Sequence, residues 1–235
     1  MMGQSTVTEA YNADWQKKAL EDGRLKSQER VYCALSMLFN EVLRVPLKGK
    51  VLDLGCGDGS LVKILNRKDG IIAAGIDIKD GVNFETDVLP YGENEFDIAI
   101  MYAVIEHLNN PSNILAELRR VTKKNGKIIV ITSNFDLSHP MVCDKAFFDD
   151  PTHVHSYNPM SIQHLMRLYN FKKKFIGLWT VPKSSFIWKL PMQWQFYIGA
   201  LLPFRGSAKY APSFLKGKSK IMLCVFGNDK YKHNI

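Results

Sequence analysis

The stretch FFDDPTHVHSY, residues 147–157, gathers two histidines, two aspartates and three aromatics. An imidazole that titrates near neutrality can take a proton from a hydroxyl, and with carboxylates it can chelate a metal. His153 and His155 stand two apart, which puts both on one side of an extended segment, with Asp149 and Asp150 as further candidate ligands. The same residue types also anchor loops by bonding nearby backbone. The residues alone leave three readings open: loop anchor or substrate contact, catalytic base, metal site. His107, behind Glu106 in AVIEHL, is a further candidate, with His139 and His164.

A second stretch, VLDLGCGDGSL, runs from an apolar segment into Gly55, Gly57 and Gly59. Glycines at a strand-to-helix turn allow a tight bend and close approach of backbone to a ligand. Asp53 lies just before this loop, and Asp77 closes the next apolar segment 22 residues after Gly55, where a carboxylate accepts ribose hydroxyls. A dinucleotide site would favour glycine at position 60, where this chain has Ser60. Asp53 and Asp58 would also repel phosphate, so the loop suits a cationic, phosphate-free ligand.

The elements that must hold these residues alternate. KVLDL, IIAAGIDI, FDIAIMY and GKIIVIT read as buried strands, and SLVKILNR and PSNILAELRRVTK as helices between them. Short continuous apolar strands separated by helices indicate a parallel sheet covered on both faces. Residues 8–22 and 26–44 carry helical spacing, the second ending before Pro46 and Gly49. The helix NPMSIQHLMRLYN starts on Asn158 with Pro159 at its first position. FKKKFIGLWTV and KSKIMLCVF then read as strands that end the sheet in an antiparallel pair.

At 235 residues the chain is expected to form one domain. Residues 1–48 would be a helical cap, 49–132 the ligand-binding core, 133–158 an acceptor loop and 182–217 a lid-like insertion. That insertion, rich in aromatics, has membrane-surface contact as its other reading. No apolar run is long enough to span a bilayer, and the first residues lack the order of a signal peptide, so a cytoplasmic protein is expected. The four scattered cysteines read as free thiols. The net charge of +8, concentrated late in the chain, suits an anionic partner or peripheral contact with a membrane.

VLDLGCGDG, GIDI, the aspartate of ETDV, FDIAIMYAVIEHL and PSNILAELRRVTKKNGKIIV come in the order found in class I methyltransferases, which the chain resembles from about Lys50 to Phe171. The resemblance implies a Rossmann-like sheet of seven mostly parallel strands, the last antiparallel, with helices on both faces. It implies S-adenosylmethionine as cofactor, a phosphate-free cation that matches the loop. Asp53, Gly55, Cys56 and Gly57 would surround its methionine part. Asp77 would hold the ribose, Ile78 pack on adenine, and Asp87 with Val88 sit at the adenine amino group. Met101 and Tyr102 would line the methyl-transfer site.

The ubiquinone-biosynthesis O-methyltransferases have a similar stretch, E-x-x-E-H, that binds a metal; this chain has Ala103 at the first position, so no metal is expected. DPTHVHSYNPMSIQHLMRLYNF and the tail LPFRGSAKYAPSFLKGKSKIMLCVFG resemble segments of bacterial sugar, polysaccharide and lipopolysaccharide-type O-methyltransferases. The expected activity is therefore base-assisted O-methylation of a carbohydrate hydroxyl, on a glycan or a nucleotide- or lipid-linked sugar. His153 is the expected base, with His155 and His107 as the other catalytic candidates. Two alternatives stand: a small-molecule O- or N-methyltransferase acting on a quinone precursor or antibiotic sugar, and a non-catalytic cofactor-binding protein. Nucleic acid is not the expected acceptor, since the chain has neither an NPPY-type motif nor a Pro-Cys nucleophile.

Overall fold

The computed structural model describes residues 24–134, 150–180 and 220–229. The expected helix at 8–22, His139, Cys143, Asp149 and the insertion at 182–217 lie outside these residues, and the acceptor loop is described only at its two ends.

Helix α1 (Arg24–Met37) continues through a wider turn over Leu38–Leu43 and stops at Arg44, whose φ of 53° reverses the chain. Six strands follow among the described residues: β1 (Gly49–Leu54), β2 (Ile71–Ile76), β3 (Phe96–Tyr102), β4 (Thr122–Ser133), β5 (Lys172–Thr180) and β6 (Lys220–Gly227). Helices α2 (Ser60–Leu65), α3 (Ser112–Val121) and α4 (Pro159–Leu168) connect them. The spatial order is β2-β1-β3-β4-β6-β5. β1, β2, β3 and β4 pair in parallel, while β6 runs antiparallel to both its neighbours.

The antiparallel last strand is as expected; of the seven strands expected, six lie among the described residues. Residues 81–95, between β2 and β3, form turns. Asn83 accepts from the Glu85 amide, Asp87 accepts from the Asn83 amide, Pro90 interrupts, and Asn94 takes a φ of 55°. Side chains that bond their own backbone compete with a sheet ladder here.

The alternation of strand side chains builds two apolar layers. Val51, Ile98, Ile100, Ile129, Ile131, Leu223 and Val225 face α1, the wider turn after it and α2, from which Leu35, Leu38, Leu61 and Leu65 complete that layer. Leu52, Leu54, Ala99, Met101, Ile128, Val130, Cys224 and Phe226 face α3 and α4 through Leu115, Leu118, Ile162 and Met166. Asn158 caps α4 as expected, accepting from the Met160 and Ser161 amides while Ser161 accepts from the Asn158 amide.

Chain order reverses between β1 and β3: β2 is laid on one side of β1 and β3 on the other. Open α/β sheets bind ligands in the crevice that opens at such a switch, off the carboxyl ends of the strands. The loop at Gly55 and the segment after Tyr102 both leave the sheet there.

Candidate active site

The glycine loop is tied to the end of β2. The Gly55 and Cys56 amides donate to the Ile76 carbonyl at 2.8 and 3.2 Å, and the Gly57 amide donates to Asp77 Oδ2 at 2.8 Å. Gly55 has a φ of 77°, and a Cβ there would collide with Val104 Cγ2. Both the backbone conformation and the space demand glycine. The collision also shows that the loop lies against the segment after β3.

Two carboxylates sit under this loop. Asp53, only 3 % exposed, points from β1 toward the α1 side. Its carboxyl is pushed up to about 7, first by burial and then by the charge of Asp77. Such a group favours a cation as its neighbour. Asp77 is partly committed to backbone, accepting from Gly57 and Lys79 and capping the turn Ile78–Asp80. A carboxylate has about four acceptor sites, so capacity remains for ribose. Cys56 is held as a thiol at about 11, by burial first and then by Asp53.

The adenine-side candidates divide. Ile78 is 46 % and Val88 71 % exposed, which leaves apolar surface for a flat ring. The Asp87 carboxylate braces its own turn through the Asn83 amide and the Thr86 hydroxyl, chiefly the amide, which holds it below the usual carboxylate range. Met101 is fully buried in the α3-side layer, so its side chain packs in the core and does not line a transfer site. Tyr102 is half-buried on the opposite face, its hydroxyl pushed up by burial and then by Glu106.

The histidines also divide. After β3, Ala103 takes a φ of 52° and the chain makes a tight turn over Ile105–His107. The Glu106 carbonyl accepts from the Val154 amide at 2.9 Å and the His155 amide at 3.1 Å. These bonds lay residues 150–155 on that turn. His107 and His153 come together with ring centroids 4.6 Å apart. His155 is exposed and turned aside, its Nε2 3.0 Å from the Asn109 carbonyl. Glu106 is 2 % exposed and held above its usual range, chiefly by burial. Burial, then His153, lowers His107. Asp150 Oδ2 lies 3.9 Å from His153 Nε2. Burial alone would raise the Asp150 carboxyl, but bonds from the Thr152 hydroxyl and amide outweigh it and hold the group low.

Thr152 was not among the sequence candidates. Its hydroxyl donates to Asp150 at 2.6 Å and stands 2.9 Å from His107 Nδ1, joining the two. The Asp-Pro-Thr turn was the available signal.

Residues 27–174 match the family described as "Methyltransferase domain". The chain belongs to this family. Its fold is that of the S-adenosylmethionine-dependent members: a methyltransferase from Archaeoglobus fulgidus superposes with a TM-score of 0.56 at 15 % identity, over 92 % of this chain and all of that one. The residues of the site fit S-adenosylmethionine, the cofactor that the resemblance implied. Asp53 would meet its cation, and the exposed Ile78 and Val88 would offer apolar surface to its ring.

Among sequence relatives, the ubiquinone biosynthesis O-methyltransferase of Coxiella burnetii is 28 % identical over 110 residues, covering 39 % of this chain and 47 % of that one. The demethylmenaquinone methyltransferase of Renibacterium salmoninarum is 29 % identical over 104 residues, covering 39 % and 42 %. The chain thus spans less than half the length of either relative.

Proposed function

We propose that the chain is an S-adenosylmethionine-dependent O-methyltransferase whose acceptor hydroxyl docks at Glu106, His107 and His153. One observation carries the reading: Val104, packed against Gly55, is two residues from Glu106, which brings the glycine loop close to the cluster of Glu106, His107 and His153. When bound, S-adenosylmethionine supplies a methyl group on a sulfonium, a leaving group that needs no acid. The protein's tasks are alignment and removal of the hydroxyl proton. Asp53 and Asp77 orient the cofactor from beneath. The cluster takes the proton as the oxygen–carbon bond forms and the carbon–sulfur bond breaks, leaving an ether and a neutral thioether.

For the acceptor, the likeness of residues 150–171 to sugar O-methyltransferase segments supports a carbohydrate hydroxyl. The two relatives, named for quinone biosynthesis, support a second reading, the ring hydroxyl of a quinone precursor. The test is transfer of a labelled methyl group to a panel of phenols and a panel of sugars, with Asp53→Asn as blank. Label on one panel chooses between the readings, and label on neither, with cofactor bound, removes the hydroxyl-transfer proposal.

A further inference from the structure

Glu106, His107 and His153 have a property that proton transfer does not require. One carboxylate oxygen and one nitrogen from each ring lie within 4.8 Å of one another. The Glu106 carboxylate also has an Oε2 that is buried and, among the described residues, without a hydrogen-bond partner. A buried carboxylate oxygen without a donor is costly.

The supporting bonds select a tautomer. Thr152 Oγ1 donates to Asp150 Oδ1, which leaves its lone pairs facing His107 Nδ1 at 2.9 Å, and the Thr152 carbonyl lies 3.2 Å from the same nitrogen. Two acceptors at Nδ1 place the proton there and the ring's lone pair on Nε2. A histidine oriented by a backbone carbonyl and a hydroxyl–carboxylate relay is the arrangement that presents imidazole to a metal. Asp150, at 3.9 Å from His153 Nε2, adds negative charge beside the group.

Two imidazoles and one carboxylate on one side of a site hold a divalent cation with positions left open. We propose that Glu106, His107 and His153 form a site for one divalent cation of the zinc class, with the acceptor hydroxyl as a further ligand. The third ligand comes from the segment before α4, and position 103, where the resembling E-x-x-E-H stretch has a carboxylate, contributes alanine. With the cation in place, a hydroxyl bound to it would be acidified and its proton would pass to water instead of to the three side chains, whose lone pairs the cation then holds. The inference rests on the proposed hydroxyl acceptor for its role in catalysis, though not for the binding itself.

The experiment is equilibrium dialysis of the full chain against Zn²⁺ after treatment with a chelator, alongside His153→Ala, Glu106→Gln and His155→Ala. The proposal expects one equivalent bound by the wild type and by His155→Ala, with about tenfold or greater weakening in the other two. Stabilisation by S-adenosylhomocysteine, unchanged in His153→Ala, confirms that the variant is folded. Absence of stoichiometric binding by the wild type, or equal binding by folded His153→Ala, overturns the site and leaves His153 as a bare base. If Zn²⁺ binds as expected but no hydroxyl is methylated, the acceptor reading has failed while the metal site stands.

Discussion

At the scale of residues, Asp53 carries the sharpest consequence. Its carboxyl titrates at about 7 in the fold against 3.8 when unperturbed, a raised value. The unfolded chain therefore gives up this proton first as pH rises. The stability this group contributes is fully present below about pH 4, declines from there, and is gone above about pH 7, a loss of up to about 4 kcal/mol. Asp53→Asn lacks the titration. Urea unfolding without ligand at pH 5 and pH 8 is expected to show the variant gaining on the wild type at the higher pH; parallel behaviour would remove the buried-charge account. The same variant is expected to bind S-adenosylmethionine more weakly, since an amide cannot meet its ammonium with charge. Gly55→Ala is a second case, forcing a Cβ onto Val104 at a φ of 77°. A cost of roughly 2–4 kcal/mol is expected in denaturant unfolding, combining a left-handed alanine with local overpacking.

At the scale of elements, the two halves of the site are latched together by Glu85. Its carboxylate accepts from the Asn109 amide and side chain and from the Asn110 amide. Asn113 Nδ2 donates to the Phe84 and Asp87 carbonyls, and the Asn109 carbonyl faces His155 Nε2. The turn bearing Asp87 and Val88 is thereby joined to the segment bearing His153. Glu85→Ala is expected to speed amide hydrogen exchange at Val154 and His155, which donate to the Glu106 carbonyl, while Ile129 and Val130 in β4 keep their protection. Unchanged exchange at Val154 would disconnect the two halves. This level also marks what the sequence made legible. The strands, the capped start of α4 and the glycine loop with its two carboxylates are local patterns, written within a few residues or one β-α-β repeat. The pairing of His107 with Thr152 spans 45 positions and depends on backbone bonds from a loop with no period of its own. Ala103 likewise spoke against a metal, and the approach of His153 to Glu106 and His107 comes from a segment distant in the chain that no local pattern reveals. A seventh strand is not found among the described residues, where local turn chemistry takes up the segment between β2 and β3.

At the scale of the whole molecule, the two apolar layers fix how much the fold can lose and how much a ligand can return. Leu118 on α3 is fully buried among β-sheet residues, and Leu118→Ala is expected to cost 2–5 kcal/mol by its lost burial and the cavity left behind. Ligand binding acts on the same balance from the crevice at the sheet switch. A ligand that binds only the folded chain, at about 100 times its dissociation constant, adds about 2.7 kcal/mol. For a chain of this size each kilocalorie moves the melting temperature by about 2–4 °C, so S-adenosylhomocysteine is expected to raise it by roughly 5–11 °C. NAD is expected to leave it unmoved, because its pyrophosphate would enter a loop flanked by Asp53, Asp58 and Asp77, whose charge repels phosphate. Differential scanning calorimetry with each ligand makes the comparison. A rise with NAD, or none with S-adenosylhomocysteine, would mean that the carboxylates beneath the loop do not select for a cation.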